Sequence, residues 1–239
     1  MDNEKIIIYQ VLPRLFGNDV EQPVFNGDIT QNGCGKMNYF NLTVLKKIKA
    51  FGATHIWYTG LLEHATQTDY SAYGIKCDHK AMVKGKAGSP YAIKDYYDID
   101  PDLAVNPQKR MAEFEALVER THKAGLKMVM DFVPNHVARQ YKSVTAPEGV
   151  KDFGADDDKN KGFDPQNNFY YCGEPLHLDN VHGHPSADYA ENPARATGND
   201  VFHAWPGRND WYETVKLNYG VDYCGGGRYC FDPIPNTWL

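Results

Sequence analysis

Short apolar runs alternate with amphipathic stretches along the first part of the chain. The runs at 6–11, 54–59 and 126–133 are rich in β-branched and aromatic residues, a pattern typical of buried strands. Between them, 41–51 and 106–124 place apolar residues at helical spacing, and a glycine follows each stretch. The order strand, helix, strand, helix, strand predicts an α/β fold whose strands are parallel.

The pattern is weaker elsewhere in the chain. A long polar loop is predicted over 63–105, and 137–210 is rich in Asp, Asn, Gly, Pro, His and Tyr without a sustained period. Because a structureless loop of that length is uncommon inside a compact domain, we interpret 137–210 as a small inserted domain. Alternation at 211–217 predicts a strand, and Pro235 with Asn236 predicts the start of a helix.

Composition narrows the classes of function. The 239 residues carry 25 Lys and Arg against 31 Asp and Glu, a net charge of −6, and 42% are hydrophobic, which is typical of a soluble globular protein. An acidic chain repels the phosphate backbone, so we expect no nucleic-acid partner. No apolar run approaches the roughly 18 residues of a membrane span, so we expect no membrane partner. The N-terminus lacks a signal-peptide pattern, which predicts a cytoplasmic protein as written, or a secreted or periplasmic one if a leader has been removed.

Aromatic and cysteine content leave two questions open. Aromatic residues make up 13% of the chain, which fits either ordinary packing or a carbohydrate site, because sugar rings present apolar faces to aromatic rings. The five cysteines are an odd number, so at least one thiol is unpaired. Cys224 and Cys230 are the only close pair, and a disulfide between them is a weakly indicated alternative to two thiols.

The segment DFVPNH (131–136) ends the third predicted strand. The carboxyl ends of the strands are where α/β barrels place their chemistry. The position alone fits equally a capped strand end, in which Asp131 accepts from backbone amides, and a functional site.

The surrounding sequence favours the site. DFVPNH and the segments before it resemble the α-amylase family, glycoside hydrolase family 13, in order and spacing; these segments are 6–17, 51–65, 88–103 and 125–136. NNFYY (167–171) and DWYETVKLNYG (210–220) are similar to the small domain B of that family. The resemblance implies an α/β fold, an incomplete (β/α)8 TIM barrel with its first three βα units and an inserted irregular domain B. Its expected parts are barrel domain A at 1–136, domain B at 137–225, and a return to the barrel at 226–239 that ends before the fourth strand.

The resemblance also implies roles for particular residues. Tyr91 matches a tyrosine that stacks on the sugar being cleaved, and His136 matches a histidine that hydrogen-bonds its hydroxyls. Asp131 matches a carboxylate that orients an arginine of the next strand. Asn135 matches a calcium ligand of many members. Calcium takes about six to eight oxygens, and domain B offers no clear further set, so the resemblance leaves calcium open as a cofactor.

The implied reaction is retaining hydrolysis of α-glucosidic bonds in starch or maltooligosaccharides, which uses two carboxylates. The family places both on later strands, so we expect the nucleophile and the acid/base beyond the end of this chain, and an isolated chain without activity. The alternatives are a non-catalytic carbohydrate-binding or assembly fragment, and a related member acting on sucrose, trehalose or isomaltose. An open barrel edge predicts self-association, because unpaired strand edges recruit other chains.

Overall fold

A computed structural model describes residues 5–182, 188–223, 225 and 228–229. In chain order its elements are β1 (Ile8–Val11), α1 (Ile29–Asn32), α2 (Leu42–Ala50), β2 (His55–Tyr58), β3 (Leu62–His64), β4 (Ile93–Ile99), α3 (Arg110–Lys123), β5 (Lys127–Met130), β6 (His136–Ala138), α4 (Asp179–His182), β7 (Thr214–Lys216), β8 (Val221–Asp222) and β9 (Arg228–Tyr229). The predicted helix start at Pro235 and the pair Cys224 and Cys230 lie outside the described residues. Within the described part, no helix has the length and apolar character needed to cross a membrane.

β1, β2 and β5 form a parallel sheet in the order β1-β2-β5. The predicted alternation of strands and helices is therefore confirmed for this part of the chain. The core that packs against the sheet contains buried residues from β2, α2, α3 and the segment before α2, among them Phe40, Leu45, Ile48, Ile56, Tyr58 and Leu117. The Tyr58 hydroxyl lies 2.9 Å from Oγ1 of Thr121, so its polar end is satisfied inside this core.

Side-chain caps explain where the two long helices begin. The Asn41 side chain accepts hydrogen bonds from the amides of Thr43 and Val44 at 3.0 and 3.1 Å, which caps α2. Asn106 caps the short 3-10 turn Pro107–Lys109, which leads directly into α3. The predicted Asn-Pro start of the second helix is therefore realised through one tight turn before the α-helix.

The strands are less buried than their apolar sequences predict. Ile6 is 66% exposed, and Ile7 and Ile8 are also exposed. β5 contains an exposed lysine followed by half-buried residues. The prediction of fully buried strands is wrong here, because β1 and β5 are the two edges of the sheet among the described residues.

The region predicted as a polar loop, 63–105, contains an antiparallel pair formed by β3 and β4. The charged residues of β4 hide the strand pattern. In the structure these charges are buried with partners: Lys94 lies 2.9 Å from Asp78, and Asp98 pairs with Arg110. The loop prediction is wrong because paired charges occupy positions that an apolar pattern would otherwise reveal.

The region after β5 has its own apolar cluster, built around the antiparallel pair β6 and β7. Its buried members are Val137, Phe169, Tyr171, Val215 and Leu217. β7 confirms residues 214–216 of the strand predicted at 211–217. The domain boundaries after residues 136 and 225 stay predictions.

Candidate active site

Asp131 follows β5 at the carboxyl edge of the parallel sheet. Its Oδ1 accepts a hydrogen bond from Nε1 of Trp57 on β2. Its Oδ2 is buried and has no hydrogen-bond partner among the described residues. A buried carboxylate oxygen without a donor is costly, so this oxygen offers a place for one further donor.

His136 begins β6 and is held between aromatic residues. It is buried, and Trp211 packs edge-on at 5.3 Å between ring centroids. Burial lowers the pKa of His136 below its usual 6.5, and the charge of Lys216 lowers it further, whereas the Tyr91 backbone acts in the opposite direction. The imidazole is therefore neutral at pH 7, with one donor and one acceptor nitrogen.

A cavity of about 420 Å³ lies beside His136. Its lining residues are Ser89, Tyr91, Val133, His136, Trp211, Glu213 and Thr214. The Tyr91 and Trp211 rings are both about half exposed, at 46% and 45%. Aromatic faces next to a few hydrogen-bonding groups are suited to a sugar, which has an apolar face and a rim of hydroxyls.

The structure thus brings Tyr91 and His136 to one cavity and adds residues for which no role was predicted from the sequence. Trp211 and Glu213 come from the segment that leads into β7. The only signal for them was an aromatic residue and a carboxylate at the start of a predicted strand. Glu213 is buried, and its Oε2 lies 3.3 Å from Nζ of Lys84. It is the one carboxylate that lines this cavity within the described residues.

Asn135 lies next to the cavity but makes different contacts. Its Nδ2 donates to the Gly198 carbonyl at 2.8 Å, and its Oδ1 accepts from Nζ of Lys216 at 3.2 Å. The same Nδ2 lies 3.0 Å from Nδ1 of His136. Because an amide nitrogen only donates, Nδ1 of His136 is the acceptor and the ring proton is on Nε2. Asn135 therefore fixes the tautomer of the histidine.

A separate acidic group lies between β3 and β4. Oxygens of Glu63, Asp95 and Asp98 all lie within 4.8 Å of one another, and all three residues are buried. Burial raises the pKa of Glu63 to about 8, although Lys94 opposes this. Such a group can hold a metal ion, because hard cations prefer carboxylate oxygens.

Comparison with known proteins gives matches to one family. Residues 25–188 match the family model described as Alpha amylase, catalytic domain. The chain is 29% identical to the trehalose-6-phosphate hydrolase of Bacillus subtilis (strain 168) over 139 residues, 58% of this chain and 18% of that protein. It is 39% identical to an amino acid transporter heavy chain of Rattus norvegicus over 80 residues, 34% of this chain and 10% of that protein.

A solved structure of trehalose-6-phosphate hydrolase from Bacillus licheniformis is 26% identical, with a TM-score of 0.36. The match covers 57% of this chain and 18% of that protein. In these comparisons the chain spans less than a fifth of the length of the relatives that it matches.

Proposed function

Because the chain belongs to the α-amylase family, we propose that it forms part of the sugar-binding site of a glycosidase that cleaves α-glucosidic bonds. The family model is that of a glycosidase catalytic domain, and the hydrolases among the relatives act on α-glucosides. The proposed substrates are starch and maltooligosaccharides. Trehalose, sucrose and isomaltose are variants of the same class, and the trehalose-6-phosphate hydrolase relative supports the first of them.

The family implies a (β/α)8 barrel for the catalytic domain. We assign β1, β2 and β5 to the first three barrel strands, and 137–225 to an inserted domain B. This assignment is supported by the parallel order of the strands and by the separate apolar cluster around β6 and β7. It places Asp131 at the face of the barrel on which such enzymes carry their chemistry.

The observation that carries the proposal is the shared cavity of Tyr91 and His136. In the proposed complex the exposed Tyr91 ring stacks on the apolar face of a glucosyl unit. His136, neutral and held in one tautomer by Asn135, hydrogen-bonds a hydroxyl of that unit. Trp211 supplies a second aromatic surface in the same cavity.

Hydrolysis needs catalytic groups in addition to the sugar-binding residues of this cavity. Retaining hydrolysis uses two carboxyl groups about 5–5.5 Å apart, one as nucleophile and one as acid/base. Glu213 is the one carboxylate lining the cavity in the described part. Because the family resemblance implies that both catalytic groups lie on later strands, we propose that they belong to sequence outside these 239 residues. The unpaired Oδ2 of Asp131 is then the proposed acceptor for an arginine of the next strand. The chain alone is expected to bind sugar without cleaving it.

Ligand-detected NMR can test this proposal. Saturation transfer from the purified chain to maltotriose, but not to the β-linked cellotriose, is the expected result. Incubation with p-nitrophenyl α-glucoside should release no nitrophenol. Absence of transfer to maltotriose would contradict the sugar-binding role, and turnover by the pure chain would contradict the assignment of the catalytic groups.

A second candidate is a non-catalytic carbohydrate-binding or assembly module. The match to the transporter heavy chain favours it, because that protein is named for transport rather than for hydrolysis. The outer edges of β1 and β5, which have no partner strand among the described residues, support an assembly role and predict self-association. Light scattering at increasing concentration tests this: an assembly module associates, whereas a monomer at all concentrations argues against it.

A further inference from the structure

Lys216 directs its ammonium group at the turn that follows β5. Its Nζ lies 3.2 Å from Oδ1 of Asn135 and 2.6 Å from Oδ1 of Asp200. The lysine side chain is only 10% exposed, and its Nζ lies 5.6 Å from the centre of the Tyr223 ring. A nearly buried positive charge is thus held by two oxygens and an aromatic face.

This contact uses the oxygen of Asn135. Because Nδ2 of Asn135 donates to the Gly198 carbonyl, the amide orientation leaves Oδ1 facing the lysine. An ammonium group has three N–H donors and no acceptor. The Asn135 oxygen is therefore a hydrogen-bond acceptor in this structure, in the place where the family resemblance implies a calcium ligand.

Calcium does not fit this set of groups. It takes about six to eight oxygen ligands at roughly 2.3–2.6 Å. A calcium ion bound to Oδ1 of Asn135 would lie beside the Lys216 ammonium, and two positive charges at that separation repel strongly in a nearly buried site. The acidic group of Glu63, Asp95 and Asp98 belongs to β3 and β4 rather than to this turn.

We infer that the Lys216 ammonium is a built-in cation that replaces calcium at Asn135 and joins the turn after β5 to the Asp200 segment without a metal. The segment it anchors also supports the sugar-binding histidine. A Cβ placed on Gly198 would lie only 2.9 Å from Cγ of His136, so the backbone there packs directly on the imidazole. Lys216 is thus a positioning residue, and this inference holds whether or not the chain binds sugar.

The test is the thermal unfolding midpoint of the full chain in EDTA and in excess calcium chloride. We expect the wild-type midpoint to be the same in both solutions. Lys216→Asp replaces the ammonium with a carboxylate, so the positive charge that opposes a cation at Asn135 and Asp200 is removed, and the midpoint should rise with calcium and fall again with EDTA. Lys142→Asp, a change at an exposed lysine paired with Asp152, is the matched control and should not respond.

Further variants show which residues are responsible for any calcium response. Lys216→Met should lower the midpoint without any calcium response. A wild-type response to calcium that Asn135→Ala removes would overturn the inference. If Glu63→Gln removes the calcium response of the wild type and Asn135→Ala does not, calcium binds at the acidic group of Glu63, Asp95 and Asp98, and the inference stands. If Lys216→Asp does not fold, calorimetric titration of the wild type with calcium chloride decides by the same comparison of variants.

Discussion

Tyr91 and His136 line the same cavity. The two residues come from different parts of the chain. Tyr91 lies just before β4, whereas His136 begins β6. Burial of His136 favours the neutral ring. A sugar bound between them would therefore meet a stacking surface and a hydrogen-bonding group in fixed relative positions.

Trp211 should contribute to sugar binding in addition to Tyr91. Trp211→Ala removes an exposed ring from the cavity, and loss of one aromatic contact is worth about 1 kcal/mol, or roughly a fivefold weaker affinity for maltotriose. Trp205→Ala is the matched control, because Trp205 is equally exposed but stacks on His177. Equal losses in both variants, measured by calorimetry, would exclude a specific role for Trp211.

Glu63 should make the stability depend on pH. Burial raises the pKa of Glu63 from 4.5 to about 8, so the native state binds this proton more tightly than the unfolded state does. The contribution of this bound proton to the free energy of unfolding is fully present below pH 4.5 and is lost as the pH rises through 8. Each pKa unit corresponds to about 1.4 kcal/mol. Glu63→Gln should therefore be more stable than the wild type at pH 8, with a smaller difference at pH 5.

Urea unfolding across this pH range measures the effect. Glu148→Gln makes the same chemical change at an exposed position and serves as the control. If the free energies of unfolding of Glu63→Gln and the wild type differ by a constant amount from pH 5 to pH 8, Glu63 does not titrate in this range.

Arg139 should be the most sensitive ion-pair residue near the cavity. It is almost fully buried and donates to Glu191 at 2.6 Å and to the Tyr212 carbonyl at 2.6 Å. Burial alone would raise the pKa of Glu191, but the charges of Arg139 and Arg195 lower it to about 2. Arg139→Met leaves this carboxylate with one partner fewer, and such losses cost about 3–5 kcal/mol.

The free energy of unfolding in urea checks this loss against Lys151→Met. Lys151 pairs with Asp156 at the surface, where both side chains are mostly exposed, and this variant should unfold at the wild-type urea concentration. A loss in Arg139→Met no larger than in the surface variant would show that the buried pair does not stabilise this region.

The sequence predicted the parts of the fold whose apolar pattern is local. Asn41 and the helical spacing of apolar residues after it identify α2, and the apolar runs identify β1, β2 and β5. β4 was missed because Lys94, Asp95 and Asp98 interrupt its pattern. Whether such charges are buried depends on partners distant in sequence, and those partners appear only when the chain is folded.

The same difference between local patterns and contacts formed only on folding applies to the site. Tyr91 and His136 could be named because both belong to segments with a family resemblance. Trp211 and Glu213 could not, because their place in the cavity depends on the pairing of β7 with β6, in a register that sets His136 opposite Lys216. The contact between Lys216 and Asn135 follows from the same register. A short strand within a long irregular region carries too few residues to predict its partner.

Tyr91 and His136 are proposed to hold a glucosyl unit of an α-glucan. Calorimetric titration of the wild type and Tyr91→Ala with maltotriose tests this role. Tyr97→Ala is the control, because Tyr97 is similarly exposed but does not line the cavity. We expect binding heat for the wild type and for Tyr97→Ala, and loss of that heat in Tyr91→Ala. No heat with the wild type, or unchanged affinity in Tyr91→Ala, would contradict it.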